Sequence, residues 1–296
     1  MSKLIKISCL LLIACAIGCT PAIIEQESVT SPFDNPPTDP DNTFSQTVQP
    51  ILDKRCVVCH ACYDAPCQLK LGSYEGITRG ANKAPVYHGD RLLADRPSRL
   101  FIDAQSPGEW RGKDFYPVLD EISEFNNQLN NSVLASMLAL KQSHPTNTNE
   151  PLGDNFEFDI NREMQCPTVD EFPAYQKEHP QWGMPYGLPA IAQQEHEQIM
   201  AWLQAGAPAS QPAPVPASDQ QGIARWEAFL NQDSYKHQLV SRYLYEHLFI
   251  AHIYFEDKQG DTRFYSLQRA LTPPGEPFKP LATRRPFSSP FPEQDS

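Results

Sequence analysis

Positive charge is scarce in this chain. Against 36 acidic residues stand 24 Lys and Arg, for a net charge of −12, which excludes a nucleic-acid partner and disfavours electrostatic recruitment to an anionic membrane surface. The chain also lacks an apolar run long enough to span a bilayer. Ile7 to Ile17 is too short, and the apolar residues between Tyr235 and Phe255 are interrupted by Arg242, Glu246, His247 and His252. Glycine is sparse at 14 residues in 296, whereas proline numbers 29. That balance predicts long extended connections around one or two domains, whose core the 40% hydrophobic content is sufficient to build.

What is present begins with an export pattern. Lys3 and Lys6 precede the apolar run, so residues 1–19 read as a signal peptide. Small residues lead into Cys19 (Ala16-Ile17-Gly18) and into Cys15 (Leu12-Ile13-Ala14), and both resemble the acylation site of bacterial lipoprotein signals. Cys19 leaves the more normal signal length and is the preferred lipid anchor, with Cys15 the alternative. The implied location is the periplasm, on a lipoprotein anchor where that cysteine is acylated.

The chain is organised around Cys56-Val57-Val58-Cys59-His60. Two thiols separated by two residues, with a histidine directly after the second, are what covalent attachment of one c-type haem requires. Cys56 and Cys59 add to the vinyl groups, and His60 ligates the iron axially. A structural zinc site would need a second ligand pair, for which only Cys62 and Cys67 lie nearby. Those two raise a rival: Cys56, Cys59, Cys62 and Cys67 approach an Fe–S spacing, but the last gap is one residue too long and Pro66 precedes Cys67 instead of following it. Export favours haem over an exposed cluster. Cys62, Cys67 and Cys166 then remain, an odd number that predicts one disulfide and a free thiol with the pairing open.

Taken in order, residues 20–42 are rich in Pro, Asp and Asn and read as a disordered tether. Thr43 with Gln46 reads as a capping box opening a helix that Pro50 kinks or restarts. Asn131 is the expected N-cap of a helix from Ser132 to about Gln142, bearing Met137. A second helix is expected from about Gln193 to Ala205, after the loop Gly183-Met184-Pro185-Tyr186-Gly187. That ending resembles the closing third of a class I cytochrome c, where a loop Met supplies the distal axial ligand, and Met184 is the candidate here. Met164, Met137 and His179 follow it.

The expected fold is therefore mainly α. Residues 43–208 form a class I cytochrome c-like domain with a large insertion, 209–218 a Pro/Ala linker, 219–272 a helical segment with a strand at Arg263 to Arg269, and 273–296 a proline-rich extended tail. His247 and His252 are expected to be structural.

Further strings carry a second resemblance. Residues 56–71, Asp95-Arg96-Pro97-Ser98-Arg99-Leu100-Phe101, Arg242 to Phe249 with Ala251-His252, and Thr283-Arg284-Arg285-Pro286 together resemble the bacterial fatty acid cis/trans isomerase family. The resemblance implies a periplasmic haem enzyme that converts cis double bonds of membrane-derived unsaturated fatty acids to trans. It also implies a chain that continues beyond residue 296, so that this one reads as the haem-bearing N-terminal part. The chemistry needs help: even the partial double bond of a peptide presents roughly 18–20 kcal/mol to rotation, and a full C=C far more. The alternative is a lipid-anchored electron-transfer cytochrome serving a redox partner, and a third reading is a disulfide-paired scaffold without haem.

The anchor assignment is testable by fractionation. Cys19→Ala should move the protein from membrane to soluble fraction, because the several acyl chains of a mature lipoprotein bind firmly where one binds marginally. Release by Cys15→Ala alone would move the anchor to Cys15.

Overall fold

The computed structural model describes residues 29–61, 65–86, 98–122, 129–147, 149–158, 164–256 and 263–290. Cys15, Cys19 and Cys62 lie outside them. Among the described residues the chain is mainly helical, with α1 (Gln49–Arg55), α2 (Val57–His60), α3 (Tyr74–Arg79), α4 (Pro107–Arg111), α5 (Val133–Ser143), α6 (Phe172–Glu178), α7 (Gln193–Gln204), α8 (Ala217–Leu230) and α9 (Tyr235–Leu248). Two short strands, β1 (Thr38–Asp39) and β2 (Ala209–Ser210), pair in parallel. None of the described helices is long and apolar enough to cross a membrane.

Pro50 sets the character of the first helix. It has no N–H to return to the preceding turn, and the backbone before it opens into a π-helical turn, Phe44–Val48, which runs into α1 without a break. Thr43 is itself helical and makes no side-chain cap. Asp39 does that work instead, its carboxylate accepting from the Asp41 and Thr43 amides. The π-turn presents Phe44 inward, its ring centroid 5.3 Å from that of Tyr74 on α3 and 5.3 Å from that of Trp202 on α7. Trp202 donates its indole N–H to the Pro208 carbonyl, and the Tyr74 hydroxyl donates to that of Ala207. The start and the end of the cleft-bearing region are thus closed on each other through one aromatic contact.

Two expectations change here. Residues 29–42, read as part of a tether, are folded: Ser31 and Asp34 cap a 3-10 turn that buries Phe33, and β1 lies against β2 inside the expected linker. Their few apolar side chains find a surface that composition alone does not reveal. Ser132, not Asn131, caps α5, its hydroxyl accepting from the Ala135 amide.

Buried polar groups knit the middle of the chain. Arg79 is 1% exposed. Its guanidinium donates to the carbonyls of Gln68 and Ser98 and lies 5.4 and 4.8 Å from the ring centroids of Trp110 and Phe115. The Ser98 hydroxyl in turn donates to the Gln68 side chain.

After β2, α8 and α9 pack as a helical pair, and the Tyr265 hydroxyl donates to Asp219. The strand expected at 263–269 is reduced to single bridges, Ile253 with Tyr265 and Ala270 with Pro280. The proline-rich tail supplies too few amide donors to build a ladder beside it.

Phe44→Ala should lower stability by about 3–5 kcal/mol, read from the denaturant midpoint. Combining it with Trp202→Ala should give less than the sum of the two losses, because the rings share a contact. Strict additivity would show that the contact carries no coupling.

Candidate functional site

α2 consists of the motif itself. The amides of Cys59 and His60 donate to the Cys56 carbonyl (3.1 and 3.0 Å), so one helical turn places the two thiols and the imidazole on a common surface. Residues 69–71 strap that turn. The Leu71 amide donates to the His60 carbonyl (3.0 Å), and His60 Nδ1 lies 2.9 Å from the Leu69 carbonyl oxygen. A carbonyl can only accept, so Nδ1 carries the proton, and the ring, only 8% exposed, is held in one tautomer and one orientation.

Cys56, Cys59 and His60 face an open, mainly apolar cleft of about 200 Å³. Leu134, Met137 and Leu138 of α5 form another wall, and the loop carrying Met184 a third. That loop is pressed onto α5: the Met184 amide donates to the Met137 carbonyl (3.0 Å), and a Cβ on Gly183 would come within 2.3 Å of the Lys141 nitrogen. Only glycine permits that approach. Gly187, at φ +65°, turns the loop back under Phe158.

The structure therefore brings Cys56, Cys59, His60 and Met184 to one cleft. Met137 and Met164 line it as well. Met164 is held at the wall by the Cys67 amide, which donates to its sulfur at 3.4 Å. His179 is not among the lining residues. It stacks on Trp182 with centroids 4.0 Å apart. A disulfide joins Cys67 to Cys166, both in the cleft wall, while Cys56 and Cys59 are free thiols. This pairing removes Cys67 from the four-cysteine Fe–S set, and among the described residues no group of three His, Cys, Asp or Glu could hold a metal ion.

A second convergence lies nearer the C-terminus. Arg99 pairs with Asp103 (2.6 Å), donates to the Thr283 carbonyl (2.7 Å) and lies 4.9 Å from the centre of the Phe249 ring. Arg269 lies 4.6 Å from the centre of the Tyr245 ring and donates to the Thr283 hydroxyl. Residues 98–101, 242–252 and 283–286 are thus clasped together by charge-assisted and cation–π contacts, while residues 95–97 of the first string lie outside the described residues. A family model described as fatty acid cis/trans isomerase matches residues 95–294, two thirds of the chain and all three clasped strings. The chain belongs to the fatty acid cis/trans isomerase family. It is an isomerase, and its substrates are unsaturated fatty acids. No curated protein matches the isomerase, and no solved structure does. The family match begins after the Cys-His motif but includes Met164 and Met184, so the cleft is built jointly by matched and unmatched segments.

Burial tunes the unmodified site. It pushes the Cys56 thiol up from its ordinary 9.0 to about 11, with the Cys59 thiol adding, Arg55 opposing and Glu195 adding. Tyr74, Tyr116 and Tyr175 are held above their ordinary 10.0, first by burial. The folded state binds these protons more tightly than the unfolded state does. Their contribution to stability is therefore complete below pH 9 and declines as pH rises past 9.0 for the thiol and 10.0 for the phenols. For protein with free thiols, the denaturant midpoint should fall between pH 9 and 11, and Cys56→Ser should remove the earliest part of the fall. A midpoint flat over that range would contradict the burial argument.

Proposed function

We propose that this isomerase is haem-dependent, with one haem c attached through Cys56 and Cys59, His60 as the proximal axial ligand and Met184 as the distal one. The observation that carries the reading is the shared cleft. Two free thiols, an imidazole whose Nδ1 is committed to the Leu69 carbonyl, and a thioether on a loop fixed to α5 all face it. The donor set fits the group: reduced thiols for two thioether links, a nitrogen and a sulfur for the axial positions, and apolar walls for a macrocycle. The tautomer set by Leu69 assigns ligation to Nε2. The closing of Phe44 on Trp202 supports a cytochrome c-like arrangement of residues 43–208, with the segments between the motif and the Met184 loop as the insertion.

Bound there, the haem would supply an iron centre able to draw electron density from a double bond and so lower its bond order. The chain's own residues do the rest. Leu134, Leu138 and Val133 line the cleft with hydrocarbon, which lowers the local dielectric beside the motif residues. His60 cannot rotate away without breaking its bond to Leu69. Met184 is carried on a loop held against α5 at Gly183 and by its own amide, so its thioether is presented to the cleft from a fixed backbone.

The periplasm is the proposed location, with Cys19, or Cys15, as the lipid anchor. The Cys67–Cys166 bond supports export, because such bonds persist in oxidising compartments.

Purified protein should keep its haem on a denaturing gel and convert a cis fatty acid to its trans isomer. The Cys56→Ser/Cys59→Ser double variant should lose the covalent haem and the activity. Met184→Ala should keep the haem but shift the absorption spectrum toward high spin. Isomerisation by the double variant at the wild-type rate would refute haem dependence, and an unchanged Met184→Ala spectrum would pass the distal role to Met164 or Met137.

A further inference from the structure

Lys141 of α5 touches both ends of the loop that carries Met184. At the near end the Gly183 backbone lies on the main chain of Lys141, where a Cβ would come within 2.3 Å of its nitrogen and 2.7 Å of its Cα. At the far end Lys141 Nζ donates to the Thr146 hydroxyl (3.0 Å), and that hydroxyl donates to the Leu188 carbonyl (3.2 Å). Residues 184–187 are therefore a span between two attachments to one residue.

A lysine in this place is costly. It is 1% exposed, and lysines are almost never buried so fully without an ionic partner. Among the described residues the hydrogen-bond partner of its ammonium is the Thr146 hydroxyl, which is neutral. Burial accordingly lowers its pKa from the ordinary 10.5. A methionine would fill the same volume without that cost, so packing alone does not account for the charged end. What the ammonium adds is direction. With a lone pair of the hydroxyl taken by Nζ, the Thr146 proton is left to the Leu188 carbonyl, and a polarised hydroxyl is the stronger donor. The neighbouring ties act elsewhere: the Met184 amide holds the start of the loop to the Met137 carbonyl, and Gln142 reaches past the loop to the Ile191 carbonyl.

We infer that Lys141 is a positioning residue for Met184: through Thr146 it latches the exit of the loop to α5 and so sets how firmly the thioether is held at the cleft. Neither Lys141 nor Thr146 lines the cleft, whereas Leu188 and Met184 both do. The lysine therefore acts through the loop, by fixing the far end of a span whose near end already rests on its own backbone. The inference rests on the haem reading above, with Met184 as the distal ligand.

The experiment uses the full-length, haem-bearing protein with imidazole as the probe, which reaches ferric iron only by displacing the distal ligand. Lys141→Met keeps the buried stem and removes the ammonium, and it should raise imidazole affinity about tenfold, the loss of one good hydrogen bond from the latch. Thr146→Val should do the same. The double variant should exceed neither, because the two groups act in series. In a Met184→Ala background, Lys141→Met should leave imidazole affinity unchanged, and a rise there would overturn the positioning role. Wild-type affinity in both Lys141→Met and Thr146→Val, with Met184→Ala binding more tightly, would overturn the latch while leaving the distal ligand intact. Hydrogen exchange over residues 183–188 reads the latch independently of the iron. It should quicken about tenfold in both latch variants while exchange in α1 stays as in the wild type, and unchanged exchange over 183–188 would overturn the latch whichever residue ligates. A Met184→Ala protein with the wild-type spectrum would fail the distal reading first, and the exchange result would still decide the latch. If Lys141→Met does not fold, Thr146→Val, at a half-buried position, decides alone.

Discussion

The hydrogen bond from His60 Nδ1 to the Leu69 carbonyl is the constraint around which the cleft is arranged. An imidazole on a four-residue helix could adopt several orientations. Fixing one of them takes an acceptor at a set distance, and therefore a chain that leaves the motif, turns through residues 65–68 and comes back beside it. The Leu71 amide closes that return onto the His60 carbonyl. The segment that makes the turn is itself restrained twice, by the disulfide from Cys67 to Cys166 and by the Arg79 guanidinium on the Gln68 carbonyl. A bond worth on the order of 1 kcal/mol thus sets geometry because its surroundings are rigid, not because it is strong.

The opposite wall follows a different logic. Met184 is positioned through backbone contacts: one amide bond to the Met137 carbonyl, and a glycine at 183 whose missing side chain lets the loop touch α5. The Met184 side chain is then not what fixes its own backbone, while Tyr186 of the same loop packs on Phe158 and Trp182. The Phe44–Trp202 contact brings α7, and the loop before it, back toward the motif. The two walls therefore meet through packing of residues 158 positions apart in sequence, which makes the cleft a property of the whole region and not of the motif alone.

Much of this is legible in the sequence where the signal is local. The helical patterns of α5 and α7 depend on residues within a few positions of one another, and those helices lie where periodicity places them. What is not legible depends on partners distant in sequence. Met164 stands in the sequence as a candidate behind Met184, and nothing near it announces that the Cys67 amide will bind its sulfur. The pairing of Cys67 with Cys166 needs a spatial coincidence that counting cannot provide. Thr43 and Gln46 satisfy the capping pattern, yet Asp39 takes the Thr43 amide and the Asn42 carbonyl takes that of Gln46. Residues 29–42 look like a tether because so few of their side chains are apolar, but burying Phe33 and pairing β1 with β2 is enough to hold them.

The buried Arg79 has an evolutionary consequence. Its planar fork spans two carbonyls and two aromatic faces at once, a geometry that an ammonium group cannot reproduce. One of those carbonyls belongs to Gln68, next to the residue that orients His60, and the other to Ser98, at the start of the family-matched region. Both carbonyls are main-chain groups that any residue supplies, so the contact constrains Arg79 itself and not the identities at 68 and 98. The hydrogen bond from the Ser98 hydroxyl to the Gln68 side chain is what couples those two positions to each other.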